Sequence, residues 1–182
     1  MTRFLIFLFL SVPVIIISRK TIFNPGSHGF YRFFSWECII WLLASNYSYW
    51  FVNPFSINQL IAWGLLVISI YMVLAGVIML KKGRKRDNNR SDTALYEFEK
   101  TSELIETGIY KYIRHPMYSS LLFLTWGIFF KHPDIELLII SVLSSLFLLQ
   151  TANMDEKECL TYFGDKYSAY MKRTKHFIPF IF

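Results

Sequence analysis

Residues 57–80 read INQLIAWGLLVISIYMVLAGVIML and hold no charged side chain. An α-helix rises about 1.5 Å per residue, so roughly 20 apolar residues cross the ~30 Å hydrocarbon core of a bilayer. The run therefore predicts a transmembrane helix, and with it a membrane protein. The rest of the chain agrees. Its 182 residues are 54% hydrophobic and 19% aromatic but only 18% charged, and the charges gather into a few short stretches. No soluble basic domain is present to carry the net charge of +6 onto a nucleic acid, which excludes that partner. The positive excess reflects topology instead.

Directly after this run, residues 81–90 read KKGRKRDNNR, six basic residues against one Asp. Lys and Arg accumulate in loops that stay in the cytoplasm. The loop is therefore read as cytoplasmic, a topology signal with some affinity for anionic lipid. Upstream, residues 33–52 form another expected span, and Asn53 and Pro54 a tight turn. Glu37 within that span is costly unless it is paired or near the surface. Residues 4–17 make a short first span. It is read as uncleaved, because Ser18, Arg19 and Lys20 follow it in place of a small-residue cleavage site.

Downstream, residues 91–113 are an amphipathic, water-exposed connector. Two further apolar runs, 117–130 and 135–150, are joined by Lys131, His132, Pro133 and Asp134 alone, which implies a helical hairpin. Counting from the basic loop puts the N-terminus outside, and the tail from 151 to 182 on the cytoplasmic side. Arg19, Lys20 and Arg32 then also fall inside, in keeping with the count. The expected fold is an all-α integral membrane protein of about five transmembrane helices, including the hairpin. Three N-terminal spans (residues 1–80) precede a core (81–182). The charge rule names a side and not an organelle, so the plasma membrane and internal membranes are equally consistent.

Metal chemistry has no support. Cys38 lies in an apolar segment and Cys159 in a charged one, while His28, His115, His132 and His176 are scattered. Neither HExxH nor CxxC occurs, so no metal site and no disulfide is expected.

Two cytoplasmic segments concentrate charge and aromatic rings. The first, TGIYKYIRHPMYSS at 107–120, sets Arg114 and His115 before Pro116, which opens a hydrophobic helix whose N-terminus favours anions. Tyr110, Tyr112 and Tyr118 offer stacking faces beside that charge. The second, 153–179, reads NMDEKECLTYFGDKYSAYMKRTKHFIP, with Asp155, Glu156 and Glu158 before Gly164 and with Lys172, Arg173, Lys175 and His176 after it. Taken alone, such acids and bases are solvated helix positions and a further topology signal.

Together, the segments resemble the isoprenylcysteine carboxyl methyltransferase family and its relatives, the small membrane methyltransferases that include phospholipid methyltransferases. The likeness covers roughly residues 100–180. Its first element is Gly-x-Tyr-x-x-x-Arg-His-Pro-x-Tyr, present as Gly108, Tyr110, Arg114, His115, Pro116 and Tyr118. Its second is an acidic pair, then Phe163-Gly164, Tyr167, Tyr170 and a terminal Phe177-Ile178-Pro179. The acidic pair, usually Glu-Glu, is Asp155-Glu156 here, which favours Glu156 over Asp155 as the functional residue. The resemblance implies S-adenosylmethionine as methyl donor, bound in a cytoplasmic pocket between the connector and the C-terminal segment.

Residue chemistry agrees. Arg114, His115 and the helix N-terminus at Pro116 can hold the donor's carboxylate, Glu156 its ammonium or ribose hydroxyls, and the tyrosines its adenine or sulfonium. Gly108, Tyr110, Pro116 and Tyr118 complete the expected cofactor set. No GxGxxG follows a strand, so the soluble dinucleotide-type carrier is absent. A carboxylate acceptor would need only a cationic clamp, for which Arg173 is the candidate. A protonated amine would need a base, Glu156 or His115. The expected acceptor is a lipophilic small molecule, a lipid or a prenylated cysteine carboxylate entering from the bilayer. Sterol-reductase-like proteins, which bind NADPH, carry a similar Arg-His-Pro-x-Tyr region but are much longer. A non-catalytic membrane relative is the other alternative.

Overall fold

The computed structural model describes residues 1–82, 101 and 103–181. Most of the basic loop (83–90) and of the connector (91–100 and 102) lies outside the described residues. Among those described there are six α-helices and no strand: α1 (Thr2–Ser18), α2 (His28–Asn46), α3 (Ile57–Lys82), α4 (Pro116–Phe129), α5 (Ile135–Phe163) and α6 (Asp165–Arg173). Short 3-10 turns at Tyr47–Tyr49 and Gly108–Lys111 lead into α3 and α4.

Local chemistry sets the helix ends. Ser27 caps α2 by accepting a hydrogen bond from Gly29 N–H (3.1 Å), and Asp134 caps α5 by accepting from Glu136 N–H (2.7 Å). Pro116 opens α4 at its first turn, where a missing N–H costs nothing. Gly164, at φ +57°, ends α5 in a conformation that glycine adopts without strain.

Two boundaries differ from the sequence reading. α2 runs from 28 to 46 and not 33 to 52, because the Ser27 cap starts it early and Asn46 then turns inward. The Asn46 amide donates to the Ile128 carbonyl at 2.8 Å. α5 continues past residue 150 to Phe163, since nothing before Gly164 breaks the helix and its polar end finds partners.

α3 and α5 are long and apolar enough to cross a membrane, while α1 and α4 are apolar but shorter. α2 carries Arg32 and Glu37. Glu37 meets a partner, accepting a hydrogen bond from Ser11 Oγ of α1 at 2.6 Å. α3 packs on α4, and α2 on α5, α4 and α1. Gly76 lets α3 approach closely, since a Cβ there would lie 3.3 Å from Pro116 and Met117 of α4.

α4 and α5 form the expected hairpin. Trp126 Nε1 donates to Ser145 Oγ (3.2 Å), and Ser144 Oγ lies 3.2 Å from Thr125 Oγ1 and 3.0 Å from Ser35 Oγ of α2. This hydroxyl cluster ties three helices at one level. Below it Ile39, Leu42, Leu66, Ile128, Phe129 and Leu137 form one apolar core. A second core of Tyr118, Leu148, Ala152 and Phe177 supports the other end of the hairpin. There the two charged segments meet.

Candidate functional site

The antiparallel hairpin brings the start of α4 level with residues 155–158 of α5. The chain after α6 then returns alongside residues 112–115. Lys175 N–H donates to Tyr112 O (2.9 Å), Arg114 N–H to Lys175 O (2.8 Å) and His115 N–H to His176 O (3.3 Å), a single parallel bridge between the two motif segments. Ser119 Oγ adds a bond to Phe177 O at 2.7 Å. The Tyr170 hydroxyl donates to Tyr110 O, also at 2.7 Å. Backbone pairing therefore holds the site's two halves in register before any side chain contributes.

Glu156 sits at the centre. Its Oε1 accepts from Arg114 Nε at 2.6 Å and lies 3.1 Å from both His115 Nε2 and His176 Nε2. Arg114 is held further by Nη1–H bonds to Thr174 O (2.5 Å) and Met171 O (3.3 Å). His115 is addressed on its other face by Asp155, whose Oδ2 is 3.4 Å from Nδ1. A carboxylate beside each ring nitrogen favours the imidazolium, in which both nitrogens can donate. Burial alone would lower the His115 pKa, but the hydrogen bonds and charges of Asp155 and Glu156 outweigh it and raise the pKa above 6.5.

A pH dependence follows. A raised folded-state pKa contributes stability that is fully present below the unfolded value of about 6.5 and is lost as pH rises through the higher folded value. The thermal midpoint of detergent-purified protein is expected to fall across that alkaline window, and His115→Gln to flatten the profile.

Two cavities flank this network. The first encloses about 100 Å³. It is walled by Tyr110, Tyr118, Phe163, Tyr167 and Tyr170, by Arg114, His115 and Asp155, and by Leu80, Thr101, Leu104 and Ile105 from α3 and the connector. The second, about 670 Å³, is lined by Arg114, Glu156, Asn153, Lys172, Arg173 and His176, with Leu149, Met171 and Ile181 as apolar wall. Arg114 borders both.

The structure distributes the expected residues unevenly. Tyr110, Arg114, His115, Pro116 and Tyr118 line the first cavity, and Tyr118 stacks on His115 with ring centroids 5.4 Å apart. Gly108 does not line it. Its φ of +62° and its contact with Met79 make it a packing position against α3. Tyr112 faces outward against Phe180. Asp155, which the sequence left in doubt, lines the first cavity, whereas Glu156 lines the second. Arg173 also borders the second cavity, paired with Glu106 Oε2 at 2.5 Å on the exposed surface.

His176, read from sequence as part of a basic cluster, is buried against Glu156. Its position just before Phe177-Ile178-Pro179 was the available signal. His115, Glu156 and His176 lie within metal-ligand reach of one another. Arg114, however, already donates to the carboxylate oxygen they share, and a cation there opposes a metal ion. The cluster is an ion-pair network.

The phospholipid methyltransferase family model matches residues 57–166, more than half of the chain and both sides of the hairpin. The chain belongs to the phospholipid methyltransferase family. A methanethiol S-methyltransferase of Pseudomonas deceptionensis is 30% identical over 73 residues, 39% of this chain and 26% of that protein. The match thus spans about a quarter of the relative's length. No solved structure matches. Within the family match α4 carries Tyr118 while α5 carries Asp155 and Glu156.

Proposed function

We propose that this chain transfers a methyl group from S-adenosylmethionine, held in the first cavity, to a lipophilic acceptor that reaches the second cavity from the bilayer. The observation that carries the reading is the meeting of the Arg-His-Pro segment and the Asp-Glu pair around an aromatic-walled cavity in a chain of this family. The residues fit the donor. Tyr110, Tyr118, Tyr167 and Tyr170 suit an adenine ring or a sulfonium, Asp155 an ammonium or ribose hydroxyls, and Arg114 with His115 a carboxylate. Bound there, the donor supplies an electrophilic methyl carbon. The protein's own part is to orient the reactants and keep water out. Glu156 acts by holding Arg114 and His115 in place.

The acceptor class follows from proton inventory. His115 has both nitrogens on carboxylates, and Glu156 is engaged by three cationic or imidazole groups. Neither is free to take a proton, which favours an acceptor that arrives already ionised over a protonated amine or a thiol. A carboxylate such as that of a prenylated cysteine, or an anionic lipid, fits Arg114 and Arg173 at the second cavity, with Leu149, Met171 and Ile181 beside its apolar part.

In the same reading the chain makes five spans. Residues 1–80 form an N-terminal unit and 81–182 the methyl-transfer core, with the site and C-terminus cytoplasmic and the N-terminus opposite.

Calorimetric titration with S-adenosylhomocysteine tests this. Micromolar binding, about −8 kcal/mol, is expected for the wild type, with at least a tenfold loss in Asp155→Ala. A preference for NADPH over S-adenosylhomocysteine would sink the reading. Ligand binding left intact by both Asp155→Ala and Arg114→Ala would favour a non-catalytic relative.

A further inference from the structure

His28 lies far outside the matched family region and the two motif segments, at the first residue of α2. Its side chain is wholly buried. Its ring Nδ1 is 2.6 Å from Glu158 Oε2, and its backbone N–H donates to Glu158 Oε1 at 3.1 Å. One residue thus grips both oxygens of a carboxylate 130 positions away in sequence. Glu158 is on α5, one turn beyond Asp155. His28, Asp155 and Glu158 present their polar atoms within 4.8 Å of one another. Arg32, a turn further along α2, is near enough for its charge to act on both His28 and Asp155.

We propose that His28 is a positioning residue for methyl transfer, clamping Glu158 so that α5 presents Asp155 and Glu156 to the two ring nitrogens of His115. The physical need is rotational. Successive residues on a helix are turned by about 100°, so consecutive carboxylates can address opposite edges of one imidazole at a single helix azimuth only. The buried hydroxyl bonds at Ser144 and Ser145 fix the azimuth of α5 about three turns away from the site. The charge-assisted, two-point hydrogen bond at Glu158 fixes it at the level of the site itself. The inference rests on the donor reading of the first cavity only for its effect on binding. The effect on His115 is independent of any ligand.

The test uses the full chain in detergent, with the His115 ring resonances followed by NMR in the unliganded protein and S-adenosylhomocysteine affinity measured in parallel. Asn places its amide nitrogen where His carries Nδ1. His28→Asn is therefore expected to keep the bond to Glu158, the His115 resonances and, within about threefold, the affinity. His28→Ala and Glu158→Gln should each move the His115 resonances and weaken binding at least tenfold while the protein stays folded. A purely structural role predicts a lowered thermal midpoint with the His115 resonances unmoved, and that result overturns the proposal. Should His28→Ala fail to fold, unmoved resonances in Glu158→Gln, whose side chain is partly exposed, overturn it equally. Absence of ligand binding in the wild type would count against the donor reading, while the His115 resonances would still decide the role of His28.

Discussion

Glu156→Ala is expected to lose about 3–5 kcal/mol of stability, the range seen when one partner of a buried ion pair is removed, and to lose measurable donor binding with it. The residue is only 8% exposed, and its loss strands Arg114, His115 and His176 against one another. Three groups of positive or potentially positive charge would then share a poorly solvated space, with Arg114 still anchored to the Thr174 carbonyl. Glu156→Gln separates charge from shape. The amide retains an acceptor oxygen for Arg114, so it should fold better than the Ala variant, yet it cannot balance an imidazolium. The check is the thermal midpoint of each variant in one detergent, with S-adenosylhomocysteine titrated at a temperature where both are folded. A Glu156→Ala protein as stable as the wild type would show that the network contributes nothing net, as some buried ion pairs do.

Gly108→Ala gives the second large effect, by a route that involves no ligand contact. At φ +62° the residue already lies in the left-handed region, where a side chain costs about 1–2 kcal/mol. The new Cβ would also lie 2.5 Å from Met79 Sδ. The Met side chain is flexible and can yield, so the double variant Gly108→Ala/Met79→Ala should recover the steric part and leave the backbone strain. Tyr110, two residues on, would be displaced from the first cavity. Donor affinity is therefore expected to fall several-fold in the single variant and to return in part in the double one. Equal affinity in Gly108→Ala and wild type would mean that the 3-10 turn adapts without moving Tyr110.

Much of the scaffold was legible because lipid imposes a simple rule on sequence. Uncharged runs such as 57–80 have one stable fate, and α3 begins at Ile57 as read. The hairpin was legible because four residues between two apolar helices leave no other path. What sequence hid lies where that rule stops applying. Beyond residue 150 the side chains turn polar, and polarity alone does not separate a helix that continues from one that ends. The continuation to Phe163 depends on partners supplied by α2 and the C-terminal segment. The Arg-His-Pro and Asp-Glu motifs, read as one site, do meet in the structure. Which carboxylate faces which cavity, however, depends on the rotation of α5, and that is set by a histidine from the other end of the chain. Gly108 shows the same limit: its place in the motif suggested ligand contact, and its φ and its neighbour Met79 assign it to packing.

The hydroxyl cluster of Ser35, Ser144 and Thr125 has a mechanical consequence. Polar bonds in an apolar interior are directional, and sliding one helix a full turn of about 5.4 Å past its neighbour would break all of them. α2, α4 and α5 are thereby pinned at one level, and bonds of the same kind tie α1 through Ser11 to Glu37 and α3 through Ser69 to the Ser120 carbonyl. A change in bilayer thickness is then met by tilting of the helices together and not by sliding of one past another. The 2.6 Å contact of Arg114 with Glu156 is thereby expected to keep its geometry in bilayers of different thickness.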